Sequence, residues 1–331
     1  MLQTYQTKIN QTSVNALKTK YLDEIATYFG YIERKLFVEC FINNISRSEC
    51  KNDYLVRYHI TARQFNSIYI QLKGKVDSIK ELNKIHLVDM RERIKSLEAC
   101  IKFNTEKQLK LQLKILRIEK IKPFTEYFIK IVQQHKSIKF LIHQNKCKLF
   151  NCKYKLEKLE QNIVSKKIRI CFGSNVLFNK QFNLNENDYS SHTDWKLAWN
   201  KSRSSQLFCL GSKDESSGNQ TCIYTLNHDL RLKVAYKFEK EFGKYIVFKD
   251  IKYKYGQEVI YNAIQTYMGT TKGGNSAKYV KSAISYRFMK NEYGWYINAT
   301  TEKNTPDTIT NKTRGCIGID MNAGFVSFCE I

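Results

Sequence analysis

The most chemically distinctive residue of this 331-residue chain is a single carboxylate in an apolar setting. In the segment RGCIGIDMNAGFVSFCEI (314–331), Asp320 follows the apolar stretch CIGI and precedes Asn322 and Gly324. Strands that face a packed sheet seldom carry a lone Asp. Asp320 therefore reads either as a metal ligand or as the cap of the turn made by Asn322 and Gly324. A second feature is basic. Between Lys136 and Lys158 there are seven lysines and one acidic residue, Glu157. A face so charged repels itself unless it is solvated or meets a polyanion, and phosphate is the natural counterpart. Within the same segment, His143 and Cys147 stand four apart and Cys152 follows. They superficially resemble metal ligands, but no C-x₂₋₄-C knuckle accompanies them as a structural zinc site requires.

The elements that must position these residues separate into two halves. Before residue 166 there are two glycines, Gly30 and Gly74, and one proline, Pro123. The other twelve glycines and Pro306 come later. The first half therefore reads as helices. Val14, Leu17, Tyr21, Ile25, Tyr28, Ile32 and Leu36 recur at spacings of three and four, which places them on one helical face. Thr61 is expected to cap a second helix, residues 76–101 form a third stretch, Thr105 starts another that ends before Pro123, and residues 124–163 make a long helix or a helix pair.

In the second half the period shortens. KKIRICF (166–172), TCIYTL (221–226), DLRLKVA (229–235), KYIVFKD (244–250), AISYRFM (283–289) and GWYINAT (294–300) are rich in Val, Ile, Tyr and Phe and are bounded by Gly, Asn, Asp and Ser. These predict antiparallel strands in a barrel or sandwich. CIGIDMN (316–322) and GFVSFCEI (324–331) predict a final hairpin.

Composition narrows the classes of function. Lys plus Arg is 55 against 31 Asp plus Glu, a net charge of +24, and aromatics make up 13%. Residues 1–165 carry +15 and residues 166–331 carry +9. Cations neutralise phosphates and rings stack on bases, so the balance favours a nucleic-acid binder, although an AT-rich genome enriches the same residue types. Hydrophobic content of 42% fits a folded chain. With no apolar run near 18 residues, no membrane span is expected. The first residues lack the apolar core of a secretory signal. The ten cysteines, without a C-x-x-C, read as reduced thiols of a cytoplasmic protein.

These residues resemble a family. The G-I-D-x-N of Gly318, Ile319, Asp320 and Asn322, followed by a second strand, resembles the first RuvC motif of the TnpB (OrfB-type) proteins of insertion-sequence transposons, relatives of the type V CRISPR effectors. CFGSNVLFNKQF (171–182), residues 194–222 with Trp195 and Trp199, residues 243–264 and SYRFMKNEYGWYINAT (285–300) are similar to the ordered segments before that motif. The resemblance covers roughly residues 166–331. LRLK (230–233) departs from it, because relatives often have Pro after LRL. Glycine-Ile-Asp also opens sugar-kinase and Hsp70-like ATPases, but MNAGFVSF lacks their paired Thr or Ser.

The resemblance implies an α+β protein. It would have a first barrel strand in 1–12, a helical recognition-like lobe in 13–165, and a wedge-type, OB-like β-barrel in 166–310. Residues 311–331 would begin a truncated RNase H-like (RuvC) domain. It also implies guide RNA and DNA as partners, transposition as the setting, and Mg²⁺-dependent RNA-guided DNA cleavage in full-length relatives. Only through this resemblance is Asp320 the candidate catalytic and metal-binding residue, and two Mg²⁺ ions need more carboxylates than Asp320. The only later acid, Glu330, matches no catalytic position of the family, so this chain is expected to bind but not to cleave alone. A stand-alone RNA- or DNA-binding regulator, or half of a split nuclease completed by a downstream-encoded C-terminal half, are the alternatives.

Overall fold

A computed structural model describes residues 1–9, 16–121, 125–165, 167–213, 215–265, 267–270, 277–280, 282–303, 315, 317–322 and 325–330. Val14, Pro123, Lys166, Pro306, Cys316 and Gly324 lie outside the described residues. The chain divides into two compact units. One comprises Met1–Tyr21, Gln206–Val234 and Phe238–Ile331; the other comprises Leu22–Ser205 and Ala235–Lys237.

The second unit is helical. Helix α1 (Ala16–Phe37) runs on into a π-helical turn at Val38–Ile42. Ile25, Ile32 and Leu36 of its apolar stripe are buried, while Leu17 is exposed. Ser46 and Glu49 close a reciprocal capping box before α2 (Arg47–Arg57). Thr61 and Gln64 form a second such box: Gln64 N–H donates to Thr61 Oγ1 at 3.2 Å and Thr61 N–H to Gln64 Oε1 at 2.9 Å. From there α3 runs without a break over Ala62–Ile121, 60 residues and about 90 Å at 1.5 Å per residue. The expected helix start at Thr105 is not found. Its hydroxyl donates to the Ile101 carbonyl at 2.7 Å, an i−4 bond that is satisfied inside a helix. Thr125 caps α4 (Glu126–Val164), one continuous helix.

Helices α3 and α4 form an antiparallel hairpin. Its seam follows a heptad repeat. On α3, Met90, Ile94, Leu97, Ile101, Asn104, Gln108 and Leu111 turn inward at alternating spacings of four and three. On α4, Ile131, His135, Ile138, Ile142, Asn145, Leu149 and Cys152 do the same. Two polar layers interrupt the seam. Asn145 Nδ2 lies 3.4 Å from Cys100 Sγ beside the buried Asn104, and Gln108 Nε2 lies 3.5 Å from His135 Nε2.

Residues 167–172 form no strand, contrary to the periodicity of KKIRICF. Phe172 packs edge-on against Phe37 at 5.6 Å, and the Lys75 ammonium lies 5.4 Å from the same ring. Its Phe172 thus finds partners on helices, and among the described residues the segment pairs with no strand. The short helices α5 (Asn175–Asn179) and α6 (His192–Ser202) follow. Trp195 of α6 stacks on Trp199 and donates from Nε1 to the Leu177 carbonyl at 2.8 Å.

The other unit holds the sheets, and all their pairings are antiparallel. Strand β1 (Leu2–Lys8) pairs with a later strand of the same unit, Thr4 opposite Thr300. Next in chain order come β2 (Gln206–Cys209), β3 (Cys222–Tyr224), β4 (Leu230–Lys233), α7 (Glu239–Phe242), β5 (Tyr245–Phe248) and α8 (Gln257–Ile264). They are followed by β6 (Tyr267–Thr270), β7 (Ala277–Val280), β8 (Ile284–Asn291), β9 (Gly294–Glu302), β10 (Ile317–Asn322) and β11 (Phe325–Glu330). The sheets run β1-β9-β8-β2, β3-β4-β5, β6-β7 and β10-β11. Ile284, Tyr286 and Phe288 of β8 alternate inward, as do Trp295, Ile297 and Ala299 of β9. Phe288 meets Phe248 of the three-stranded sheet at 6.1 Å.

The architecture is α+β. Among the described residues no barrel closes. Asn219 is fully buried between β2 and β3. Its amide donates to the Cys209 and Ile284 carbonyls at 3.1 and 2.9 Å, and its Oδ1 accepts from Thr221 N–H, Thr221 Oγ1 and Cys222 N–H. Backbone groups at the ends of β2, β3 and β8 are satisfied here by one buried side chain. Nearby, Gly256 (φ 73°) sits against the Tyr5 ring, where a Cβ would overlap the ring carbons.

Candidate nucleic-acid interface

The basic run from Lys136 to Lys158 lies entirely on α4, and all seven lysines are exposed. The heptad explains their distribution. With the seam at one side, Lys139, Lys146 and Lys153 recur every seven residues as a single stripe along one flank. Beside that stripe, on the face turned away from α3, stand Phe140, Phe150 and Tyr154, which are 62%, 72% and 50% exposed. These rings are not core: the seam is filled by other residues, so the exposed aromatics add nothing to hairpin packing. Among the described residues only Lys153 of the seven has a carboxylate partner, Glu98 at 2.7 Å. Lys158 lies 4.3 Å from the centre of the Tyr154 ring, within cation–π range. Exposed rings flanked by unneutralised ammonium groups can stack bases and track phosphates at the same time.

His143 and Cys147 share the outer face, with Cys147 Sγ 3.7 Å from His143 Nε2. Cys152 turns into the seam and is buried. The three do not converge, and among the described residues no group of three His, Cys, Asp or Glu side chains is placed to hold a metal. The described cysteines are all unbridged.

Asp320 lies on β10, opposite Ser327 of β11. Its backbone is described and its side chain is not, and the same holds for Glu330. In this hairpin Ile319 faces Phe328 across the ladder, and Ile317, Ile319 and Phe328 are 66%, 66% and 81% exposed. Among the described residues, β10 and β11 pair with no other strand. Of the arginines in the second half of the chain, Arg231 stacks on Tyr245 at 4.7 Å and Arg287 on Phe208 at 5.2 Å, both on the outer faces of sheets. Arg203 and Arg169 belong to the helical unit.

Arg169 lines a feature that periodicity did not reveal. A cleft of about 730 Å³ opens on the flank of the hairpin away from the Lys139 stripe. His86, Asp89 and Arg93 of α3 face Lys155 and Lys158 of α4 across it, and Lys167 and Arg169 close one side. His86 and Arg93 are seven apart, as are Lys155 and Asn162. That spacing was readable on each helix. Their opposition depends on the register of the hairpin, which no local pattern gives.

No protein family, curated protein or solved structure matches the chain. No helix among the described residues is long and apolar enough to cross a membrane.

Proposed function

We propose that this protein binds nucleic acid through the outer face of α4, and that single-stranded RNA or DNA is the preferred form. The observation that carries this reading is the alignment of three exposed rings with a lysine stripe that is largely without carboxylate partners. Single strands expose both phosphates and base faces, and this surface offers a complement to each. The TnpB-like segments of residues 166–331 support guide RNA and DNA as the physiological ligands, the helical unit as a recognition lobe, and the sheets as a wedge-type domain opening toward a RuvC-like hairpin.

Mg²⁺ is the metal that the resemblance implies. A two-ion centre needs several convergent carboxylates; among the described residues no three metal-ligating side chains come together, and Asp320 stands opposite Ser327 in the β10–β11 ladder. The reading proposed for this chain alone is binding without cleavage. Among the described residues nothing covers the exposed Ile317, Ile319 and Phe328, and this supports the alternative of a second component, a C-terminal nuclease half, seated on the hairpin.

Fluorescence anisotropy with labelled single-stranded RNA, single-stranded DNA and duplex DNA tests the reading, alongside a nicking assay in Mg²⁺. Tight, salt-sensitive binding of single strands without nicking is the expected result. Mg²⁺-dependent nicking lost in Asp320→Ala would overturn the non-cleaving part, and absence of binding at low salt would overturn the rest.

A further inference from the structure

The two flanks of the α3/α4 hairpin are built differently. On one flank charges are complementary across the seam: Glu98 meets Lys153 at 2.7 Å and Arg91 meets Glu160 at 2.8 Å. On the other flank Arg93 faces Lys155, cation toward cation, and Lys158, Lys167 and Arg169 add to the same concave surface. Asp89 is the only carboxylate in that lining. Among the described residues none of these five cations has an ion-pair partner. Like charges set across a helix pair destabilise it unless an anion lies between them. The floor, in contrast, is apolar, made of the half-buried Met90 and Leu159, and Gln161 and Asn162 supply amides at its edge.

We infer that this cleft is a binding site for a nucleoside phosphate. Five cations fit several phosphate oxygens, and the two arginines can each engage a phosphate through two N–H groups. The apolar floor suits a base or ribose face, and the amides suit a base edge. At about 730 Å³ the cleft exceeds what one inorganic phosphate needs and falls in the range of sites for nucleotide-sized ligands. The ligand is either a free nucleoside triphosphate or one nucleotide of a bound strand. The chemistry recognised is the same. In the second case the inference rests on the nucleic-acid reading above; in the first it does not.

The test uses the full chain with two probes, ATP followed by calorimetry and a labelled oligouridine followed by anisotropy. Arg93→Ala combined with Arg169→Ala removes two exposed side chains, and circular dichroism melting verifies the fold. ATP affinity is expected to fall at least about tenfold in this variant and to hold in Lys139→Ala/Lys146→Ala. ATP should also compete better than inorganic tripolyphosphate, because only ATP uses the floor.

If ATP displaces the oligouridine and the Arg93/Arg169 variant weakens both, the site belongs to the strand. If ATP binds without displacing it, the site takes the free nucleotide. Unchanged affinity for both probes in a folded Arg93/Arg169 variant overturns the inference, and oligouridine binding lost only in the Lys139/Lys146 variant would then leave the nucleic-acid reading intact. Equal competition by tripolyphosphate overturns the nucleoside part.

Discussion

Replacing Lys136, Lys139 and Lys146 together with alanine separates charge from stacking on α4. All three are exposed, and among the described residues none has a carboxylate partner. Alanine is the best helix former and the seam is untouched, so the hairpin persists. If each lysine neutralises one phosphate of a single strand, the slope of log K against log salt becomes shallower by about 0.7 per lysine, or about 2 in total. Between 50 and 200 mM salt the variant should then lose about 20-fold less affinity than the parent chain.

Phe140→Ala with Phe150→Ala makes the opposite change. Each ring that stacks a base contributes about 1–3 kcal/mol, so affinity falls while the slope stays where it was. Anisotropy titrations at four salt concentrations give both quantities. An unchanged slope in the lysine variant would refute the phosphate role of the stripe. Unchanged affinity in the phenylalanine variant would refute stacking on the outer face.

Asn219→Ala should destabilise the sheet unit by about 3–5 kcal/mol, since it strands several buried backbone groups at once; a urea midpoint within experimental error of the parent chain would contradict this. Burial pushes the Tyr224 phenol up to about 12, and that of Tyr28 likewise, burial acting most and the neighbouring tyrosines adding to it. Folding therefore favours the protonated phenols. Their contribution is fully present below pH 10 and is lost as pH rises toward 12, so thermal midpoints should be flat to about pH 10 and then drop, less steeply in Tyr224→Phe. Burial likewise pushes the Cys40 thiol up to about 12, with the Cys50 thiol 3.6 Å away. Iodoacetamide at pH 8 should modify the exposed Cys147 well before Cys40, as read by mass spectrometry.

Local chemistry made some of these features legible in the sequence and hid others. The concentration of glycine after residue 166 and the alternation in residues 283–300 lead directly to β8 and β9, because strand burial has a period of two and depends on near neighbours. The lysine run was visible for the same reason. Thr105 misleads because a hydroxyl that caps a helix in one place bonds back to an i−4 carbonyl in another. KKIRICF misleads because alternation shows only that every second residue is shielded, and here Ile168 and Ile170 are half-buried without a ladder while Phe172 packs on Phe37 of a helix. Strand β2 has four residues and too little length for any pattern. Asn219 has no sequence signal of its own. Its importance comes from Ile284, which lies 65 residues away.

Hairpin register links the two candidate sites on the helical unit. A heptad seam of aliphatic residues alone permits slippage by seven residues, a shift of about 10 Å along the axis. The polar layers at Cys100–Asn145 and Gln108–His135 oppose that slippage, since any shifted pairing buries an amide against a hydrocarbon. They weaken the hairpin relative to leucine and fix which residues meet. That fixed register sets Glu98 beside Lys153 on one flank and Arg93 across from Lys155 on the other. One flank thereby stays closed by ion pairs while the other is left open, basic and roomy. The cost of a polar seam is thus offset by a cleft whose cations stand where local sequence would not have placed them together.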